Sequence, residues 1–189
     1  MWIAETLGID GNIILQILLK GPTCRVGRHA DNCLSFPHDK SISRSHADLS
    51  IINKKLILRD LGSKFGTFLG ANNDLKVDST KDPVELASGQ VVQFGAVHSR
   101  VRFVRVTMSL CLTRLDKKDK EKVKTAASIS GSKIVNAAED ATHIITNSIS
   151  GATLKIITGL VLKKSIVTTD WLSFLFTEKP SELIPSPDL

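Results

Sequence analysis

The feature that most constrains the fold is a series of short apolar segments between Ile13 and Val106, separated by Gly, Asn, Asp, Ser and Pro. Short apolar segments bounded by turn-forming residues are typical of an antiparallel β-sandwich. The loops at one end of such a rigid sandwich commonly carry binding residues. The pattern predicts strands at Ile13–Leu19, Thr23–Val26, Cys33–Phe36, Ala47–Ile52, Lys55–Asp60, Thr67–Leu69, Val91–Phe94 and Ser99–Val106.

The pattern changes after about Thr107. A helix is predicted at Asp116–Ser128, and strands then alternate with helices, which indicates a parallel sheet with helices on its faces. The predicted elements are strands at Lys133–Asn136, Thr142–Thr146 and Ser165–Val167 and helices at Thr153–Leu162 and Asp170–Phe176. We therefore predict an all-β domain over residues 1–107 and a small α/β domain over residues 108–189, with a linker-like tail at Lys179–Leu189.

Composition narrows the function classes. The chain has 189 residues, 42% of them hydrophobic, so each domain can bury a core, and the net charge of +6 favours anionic partners. No run of about 18 apolar residues occurs, so no membrane span is predicted. Cys24, Cys33 and Cys111 form no metal-binding pattern, and we expect reduced thiols in a cytosolic or nuclear protein without metal or cofactor.

Three short motifs occur in order within the strand-rich segment: Val26–Arg28 (VGR), Ser41–His46 (SISRSH) and Asp60–Thr67 (DLGSKFGT). A phosphothreonine is recognised by a guanidinium, a hydroxyl or backbone donor and a further cation, because these groups form charge-assisted hydrogen bonds with a dianion. The motifs supply such a set in Arg28, Ser43, Arg44 and Lys64. The residues alone therefore predict an anion-binding pocket.

This ordered set of motifs resembles the forkhead-associated (FHA) family, which binds phosphothreonine peptides. The resemblance implies that Arg28 and Ser43 contact the phosphate and that Arg44 contributes its backbone amide or its side chain. It also implies that the loop containing Lys64 and Phe65 closes over the peptide backbone. Many FHA domains have Asn at the position of Phe65. For Arg28 the alternative is a solvated surface arginine.

Three further residues in these motifs are assigned structural roles. Gly27 and Gly66 are expected to permit backbone paths that a Cβ would obstruct. His46 has no nucleophile or metal ligand at a supporting spacing, and the resemblance implies that it braces the Ser-Arg loop by hydrogen bonding.

The segments Gly131–Val135, Ala141–Ile145, Lys163–Val167 and Asp170–Leu172 resemble a BRCT domain. The resemblance implies that Trp171 is a buried core residue. It also places Thr113 and Lys155 where phosphate-binding BRCT domains carry a Ser or Thr and a Lys, although Arg114 stands where the family has glycine. A phosphate site and a merely solvated lysine are both open readings of these residues.

An all-β FHA sandwich followed directly by a small α/β BRCT domain with a parallel sheet resembles the nibrin family, whose second BRCT repeat and C-terminal tail are expected to be absent here. The resemblance implies a nuclear, non-enzymatic adaptor of the DNA double-strand-break response at chromosomal damage sites. It would bind phosphorylated adaptor proteins with acidic Ser/Thr motifs. In the full-length family the partners also include the nuclease complex subunits and a checkpoint kinase.

Two other function classes stay open. One is an FHA-bearing enzyme, either DNA-end-processing or of the kinase type, although no phosphate-binding loop, DxD nucleophile motif or HRD-like loop occurs in the sequence. The other is a DNA-binding structural module, although we expect direct DNA binding to be weak or absent because the basic residues are spread along the chain.

Overall fold

The computed structural model describes residues 1–19, 22–70, 75–97, 99–148, 151 and 153–174. Two compact units are present: one spans Trp2–Arg105, and the other begins at Val106 and also includes Met1. The predicted tail at Lys179–Leu189 lies outside the described residues.

The first unit is an all-β sandwich, as predicted. Its first sheet has the strand order β2-β1-β11-β10-β7-β8 and is antiparallel throughout. Its strands are β1 (Trp2–Leu7), β2 (Ile13–Leu19), β7 (Thr67–Leu69), β8 (Leu75–Lys76), β10 (Gln90–Phe94) and β11 (Ser99–Arg105).

The second sheet has the order β4-β3-β5-β6-β9, and only the β3–β4 pair is parallel. Its strands are β3 (Thr23–Gly27), β4 (Leu34–Ser35), β5 (Ala47–Ile52), β6 (Lys55–Asp60) and β9 (Val84–Leu86). One core lies between the two sheets. Its largest side chains come from alternate strand positions, and those that are completely buried include Phe94, Phe103, Leu49 and Leu58.

The prediction missed β1, β8 and β9. β1 lacks clean apolar alternation because Glu5 lies in its middle, yet Glu5 is buried. Its carboxylate accepts hydrogen bonds from Gln16 (2.8 Å) and Arg102 (2.6 Å) on the two neighbouring strands. A paired and hydrogen-bonded carboxylate can occupy a strand position where an isolated charge could not.

The expectation of reduced thiols was wrong for two of the three cysteines. Cys24 and Cys33 form a disulfide, whereas Cys111 in the second unit is free and buried. The pair forms because β3 and β4 run side by side, which brings the two Cα atoms to 5.4 Å, within the range that a disulfide bridges. A separation of nine residues in the sequence gave no indication of this proximity.

The second unit is a small α/β domain with a four-stranded parallel sheet in the order β13-β12-β14-β15. Its strands are β12 (Ser109–Leu112), β13 (Lys133–Val135), β14 (His143–Ile145) and β15 (Ser165–Val167), and its helices are α1 (Lys117–Ser130), α2 (Leu154–Val161) and α3 (Thr169–Phe174). Asp116 caps α1 by accepting a hydrogen bond from the Asp119 amide, and Gly131 ends the helix in a left-handed conformation. The predicted α/β class is confirmed.

Trp171 differs from its expected role as a buried core residue. It is only partly buried and stacks on the His143 ring, with 5.4 Å between ring centroids. The next residue, Leu172, is buried at 2% exposure. The helix therefore turns its aliphatic side chain into the core and keeps the indole at the margin.

Candidate phosphopeptide-binding site

The loops that carry the three motifs are joined by backbone hydrogen bonds. The Arg28 amide donates to the Ser43 carbonyl at 3.0 Å, so the VGR motif and the SISRSH motif lie side by side. A Cβ at Gly27 would collide with the Arg44 carbonyl oxygen. The residue before Arg28 therefore has to be glycine for these two loops to approach each other this closely.

His46 is completely buried and links two of the loops. Its Nδ1 accepts a hydrogen bond from the Ser43 amide (3.2 Å), so its Nε2 carries the proton and donates to the Gly66 carbonyl (3.1 Å). Burial lowers the pKa of His46, and this effect outweighs the opposing influence of the Asp60 carboxylate. The ring is thus neutral, with both nitrogens satisfied, and holds the Ser43 loop against the Gly66 loop.

Asp60 organises the loop that follows β6. One carboxylate oxygen accepts from the Gly62 and Ser63 amides (2.9 and 2.8 Å), and the other accepts from the hydroxyls of Ser63 (2.7 Å) and Thr67 (2.5 Å). Burial raises the pKa of Asp60, but these hydrogen bonds outweigh burial and hold the pKa below its usual value. Sequence reasoning gave Asp60 no role, although an Asp followed by Gly and Ser indicates such a turn.

Asp39 organises the loop that contains Ser43, as Asp60 organises the loop after β6. Its carboxylate accepts from the amide and hydroxyl of Ser41 (2.8 and 2.6 Å) and from the hydroxyl of Ser99 (2.7 Å). The Ser41 hydroxyl in turn accepts from the Ala96 amide at 2.9 Å. Sequence reasoning also missed this anchor. Both loops of the site are therefore fixed by a buried or half-buried carboxylate rather than by their own sequence alone.

The predicted phosphate-binding residues meet on this scaffold. The Ser43 hydroxyl oxygen accepts a hydrogen bond from the Lys64 amide at 3.2 Å, which leaves the hydroxyl proton available to an anion. The Lys64 ammonium lies 5.4 Å from the centroid of the Phe65 ring, and Phe65 is 42% exposed. Arg28 is half-buried and Arg44 is exposed.

The cations of this cluster differ from the ion-paired cations of the same unit. Within the described residues, the side chains of Arg28, Arg44 and Lys64 have no carboxylate within ion-pair distance. The described pairs of this unit between Arg or Lys and a carboxylate are Arg25–Asp48, Arg102–Glu5, Lys55–Glu85 and Lys81–Asp78. The cluster is thus a set of uncompensated positive charges on a braced frame, which is suited to an anionic ligand.

An open depression of about 460 Å³ adjoins the cluster. Arg44 lines it together with the Arg25–Asp48 ion pair, His29 and Asp31. The Asn32 side chain donates to the Arg44 carbonyl at 2.8 Å and so fixes the backbone at its margin.

In the second unit, the structure brings Thr113 and Lys155 together at the carboxyl end of β12. The Lys155 ammonium donates to the Leu112 carbonyl at 3.1 Å, and the Thr113 hydroxyl lies 3.1 Å from that of Thr153. Thr153 is the N-cap of α2, a role that its position before an apolar helix could have indicated. Arg114, which replaces the family's glycine, adopts the left-handed φ of 50° that glycine adopts most readily.

The described residues contain no group of three or more His, Cys, Asp or Glu side chains that could hold a metal ion. None of their helices is long and apolar enough to cross a membrane.

Comparison with known proteins identifies relatives of the chain. A protein-family model, the FHA domain, matches residues 24–95. Nibrin of Danio rerio is 29% identical over 189 residues, which cover 99% of this chain and 22% of the relative. Nibrin of Gallus gallus is 31% identical over 185 residues, covering 90% of this chain and 23% of the relative. The chain thus spans less than a quarter of the length of these two relatives.

Solved structures show the same fold. The FHA-BRCT1-BRCT2 domains of S. pombe Nbs1 match with a TM-score of 0.65 and 22% identity, covering 98% of this chain and 63% of that one. The S. pombe Nbs1–Ctp1 complex matches with a TM-score of 0.62 and 22% identity, covering 96% of this chain and 60% of that one. The first unit therefore has an FHA fold and the second a BRCT fold. The family model and the two nibrins show that the chain belongs to the nibrin family.

Proposed function

We propose that the chain is a non-enzymatic phosphopeptide-binding adaptor, whose FHA domain reads phosphothreonine in acidic motifs. The observation that carries the proposal is the cluster of Arg28, Arg44 and Lys64, none of which has a carboxylate partner among the described residues, around the half-buried Ser43 hydroxyl. A phosphate dianion would supply the missing negative charge.

Each residue has a distinct part in the proposed complex. The Arg28 guanidinium donates in parallel to two phosphate oxygens, the geometry for which arginine is better suited than lysine. The Ser43 hydroxyl donates a third hydrogen bond, and Arg44 contributes its amide or its guanidinium. Lys64 adds positive charge, and the exposed Phe65 ring packs on the ligand main chain where other FHA domains place an asparagine.

The scaffold residues prepare this site before the ligand arrives. Gly27 and Gly66 let the loops approach, and neutral His46 ties the Ser43 loop to the Gly66 loop. A prearranged site loses less conformational entropy on binding than a mobile one. We expect the free and bound loops to differ little as a result.

The domain boundary and the biological setting are part of the proposal. We place the FHA domain at residues 1–107 and the BRCT domain at residues 108–189, which is supported by the division of the chain into two compact units between Arg105 and Val106. By family membership the chain acts in the nuclear double-strand-break response and recruits the repair nuclease complex to phosphorylated adaptors. A relative, S. pombe Nbs1, has been solved in complex with Ctp1.

Thr113 and Lys155 are proposed as a second, weaker phosphate site. The Thr113 and Thr153 hydroxyls lie 3.1 Å apart, and the Lys155 ammonium contacts the carbonyl of Leu112, the residue before Thr113. To bind a phosphate oxygen, the Lys155 ammonium would have to weaken its hydrogen bond to the Leu112 carbonyl. This loss makes phosphate binding weaker here than at the FHA site.

Parallel calorimetric titrations test the main proposal. The ligands are a peptide with phosphothreonine between acidic residues, the same peptide without phosphate, and a short DNA duplex. We expect binding of the phosphopeptide alone. Tighter binding of the duplex, with affinity falling steeply as salt is added, would instead favour a DNA-binding module. Equal binding of the two peptides would refute phosphate recognition.

A further inference from the structure

Lys76 is a fourth cation beside the candidate site, and its position is defined by the backbone around Gly66. It is the last residue of β8 and pairs with Phe68 on β7, two residues after Gly66. A Cβ at Gly66 would lie 2.6 Å from Lys76 Cε and 3.4 Å from its Nζ. The lysine stem therefore crosses the surface of Gly66 and carries the ammonium to the loop that contains Phe65.

Glycine is required at position 66 by its φ of 89°, which lies in the left-handed region. The absence of a side chain there also leaves the space that the end of the Lys76 side chain occupies. Most surface lysine side chains adopt many conformations, but the Lys76 side chain lies against Gly66 in the middle of the candidate binding loop. It is exposed, and within the described residues it has no carboxylate partner.

Lys64 lies within this loop and Lys76 reaches it from β8, and neither has a carboxylate partner among the described residues. Like charges near one loop repel each other, and a negatively charged ligand group relieves that repulsion. A single phosphate group is already met by Arg28, Ser43 and Arg44 in the proposed complex. The ammonium of Lys76 is therefore available to a second negative group of the ligand.

We infer that Lys76 is a specificity-determining residue, which contacts an Asp or Glu side chain one or two positions from the phosphothreonine. The inference rests on the proposed function of the FHA site. The Lys64 amide donates to the Ser43 hydroxyl oxygen at 3.2 Å, so Lys64 lies beside the proposed phosphate position. Gly66 lies two residues farther along, at most about 7 Å for an extended chain, which equals one or two residues of an extended peptide ligand.

The test measures the affinities of wild type and variants for two phosphothreonine peptides, one flanked by alanines and one flanked by aspartates, at low ionic strength. Lys76→Gln should weaken binding of the aspartate peptide about threefold to fivefold, the range of an exposed ion pair, and leave the alanine peptide unchanged. Lys76→Glu should reverse the preference between the two peptides. High salt should reduce these differences.

Lys55→Gln is the matched control. It removes the same charge from the same unit, but at the start of β6, whereas Asp60 and the binding loop lie at its other end. We expect it to affect neither peptide. An equal loss for both peptides with Lys76→Gln, or the same selective loss with Lys55→Gln, would overturn the role of Lys76. Failure of wild type to bind either phosphopeptide would overturn the proposed function itself, and the inference with it.

Discussion

The two candidate phosphate sites differ in whether their cations are already engaged by the protein. In the FHA domain, Arg28 and Lys64 have no acidic partner among the described residues, and the frame around them is tied together by a neutral buried His46. In the BRCT domain, the Lys155 ammonium already donates to the Leu112 carbonyl, and Thr113 already pairs with Thr153.

This difference shows that motif residues alone do not define a site. A cation bound to a backbone carbonyl must give up that interaction to bind phosphate, whereas an uncompensated cation on a fixed loop gives up only solvent. Both sites contain the expected residue types. We therefore propose that the FHA cluster is the better anion receptor, because its cations are not engaged by a carboxylate among the described residues.

The largest effect is expected at the brace of the FHA site. His46→Ala removes a completely buried ring together with the partners of the Ser43 amide and the Gly66 carbonyl. The free energy of unfolding should fall by roughly 2–4 kcal/mol, and phosphopeptide affinity should fall with it. Denaturant unfolding measures the first quantity. His38→Ala, an exposed change in the same loop, should stay within about 0.5 kcal/mol of wild type. Equal stability of His46→Ala and wild type would mean that His46 is not a brace.

A smaller effect is expected from acidification, and both units contribute to it. Burial lowers the pKa of His46, and it also lowers the pKa of His143 in the BRCT domain. At low pH the folded state therefore binds fewer protons than the unfolded state. The contribution of these two neutral rings to the free energy of unfolding is complete above the unfolded pKa of about 6.5 and is lost as the pH decreases below it.

For His46 the slope of this loss is at most about 1.4 kcal/mol per pH unit. Unfolding curves recorded in steps below neutral pH measure the slope, and His143→Gln should remove only the contribution of the BRCT domain. A free energy of unfolding that is constant or rises in this range would contradict the neutral assignment of both rings.

The smallest expected effect on stability distinguishes Lys155, which is hydrogen-bonded within the protein, from Lys64, which has no carboxylate partner among the described residues. Lys155→Gln removes a hydrogen bond to the Leu112 carbonyl and should lower the free energy of unfolding by about 1 kcal/mol or less, with little change in binding of a singly phosphorylated threonine peptide. Lys64→Gln should do the opposite, weakening the peptide several-fold with stability unchanged. The comparison between the two sites would fail if Lys155→Gln weakened this peptide as much as Lys64→Gln does.

The sequence predicted most of the fold because apolar periodicity and turn residues are local signals. β5 and β6 have the predicted bounds, and the α/β order of the second unit is also as predicted. Features that depend on pairing between strands were missed. Glu5 interrupts the apolar pattern of β1 and is accommodated only by Arg102 and Gln16, and the Cys24–Cys33 disulfide arises only because β3 and β4 are neighbours.

The same distinction applies to the candidate site. The motifs were enough to propose Arg28, Ser43, Arg44 and Lys64 as phosphate-binding residues, because residue type and order are visible in the sequence. Asp39 and Asp60 accept hydrogen bonds within their own turns, which is a local signal that was overlooked. Their contacts with Ser99 and Thr67, and the place of Lys76 beside the site, arise only from loop folding and from the β7–β8 pairing.

The most direct test of uncompensated charge as the basis of phosphopeptide binding compares two arginines at one edge of the sandwich. Arg28 directly follows β3 and has no acidic partner among the described residues, whereas Arg25, on β3, is paired with Asp48 at 2.8 Å. Calorimetry with a phosphothreonine peptide should show that Arg28→Ala, while still folded, weakens binding by about 1.5–3 kcal/mol, roughly tenfold or more. Arg25→Ala should change the affinity by less than about threefold, as expected for an exposed ion pair. Unchanged affinity in folded Arg28→Ala, or an equal loss in Arg25→Ala, would contradict the account.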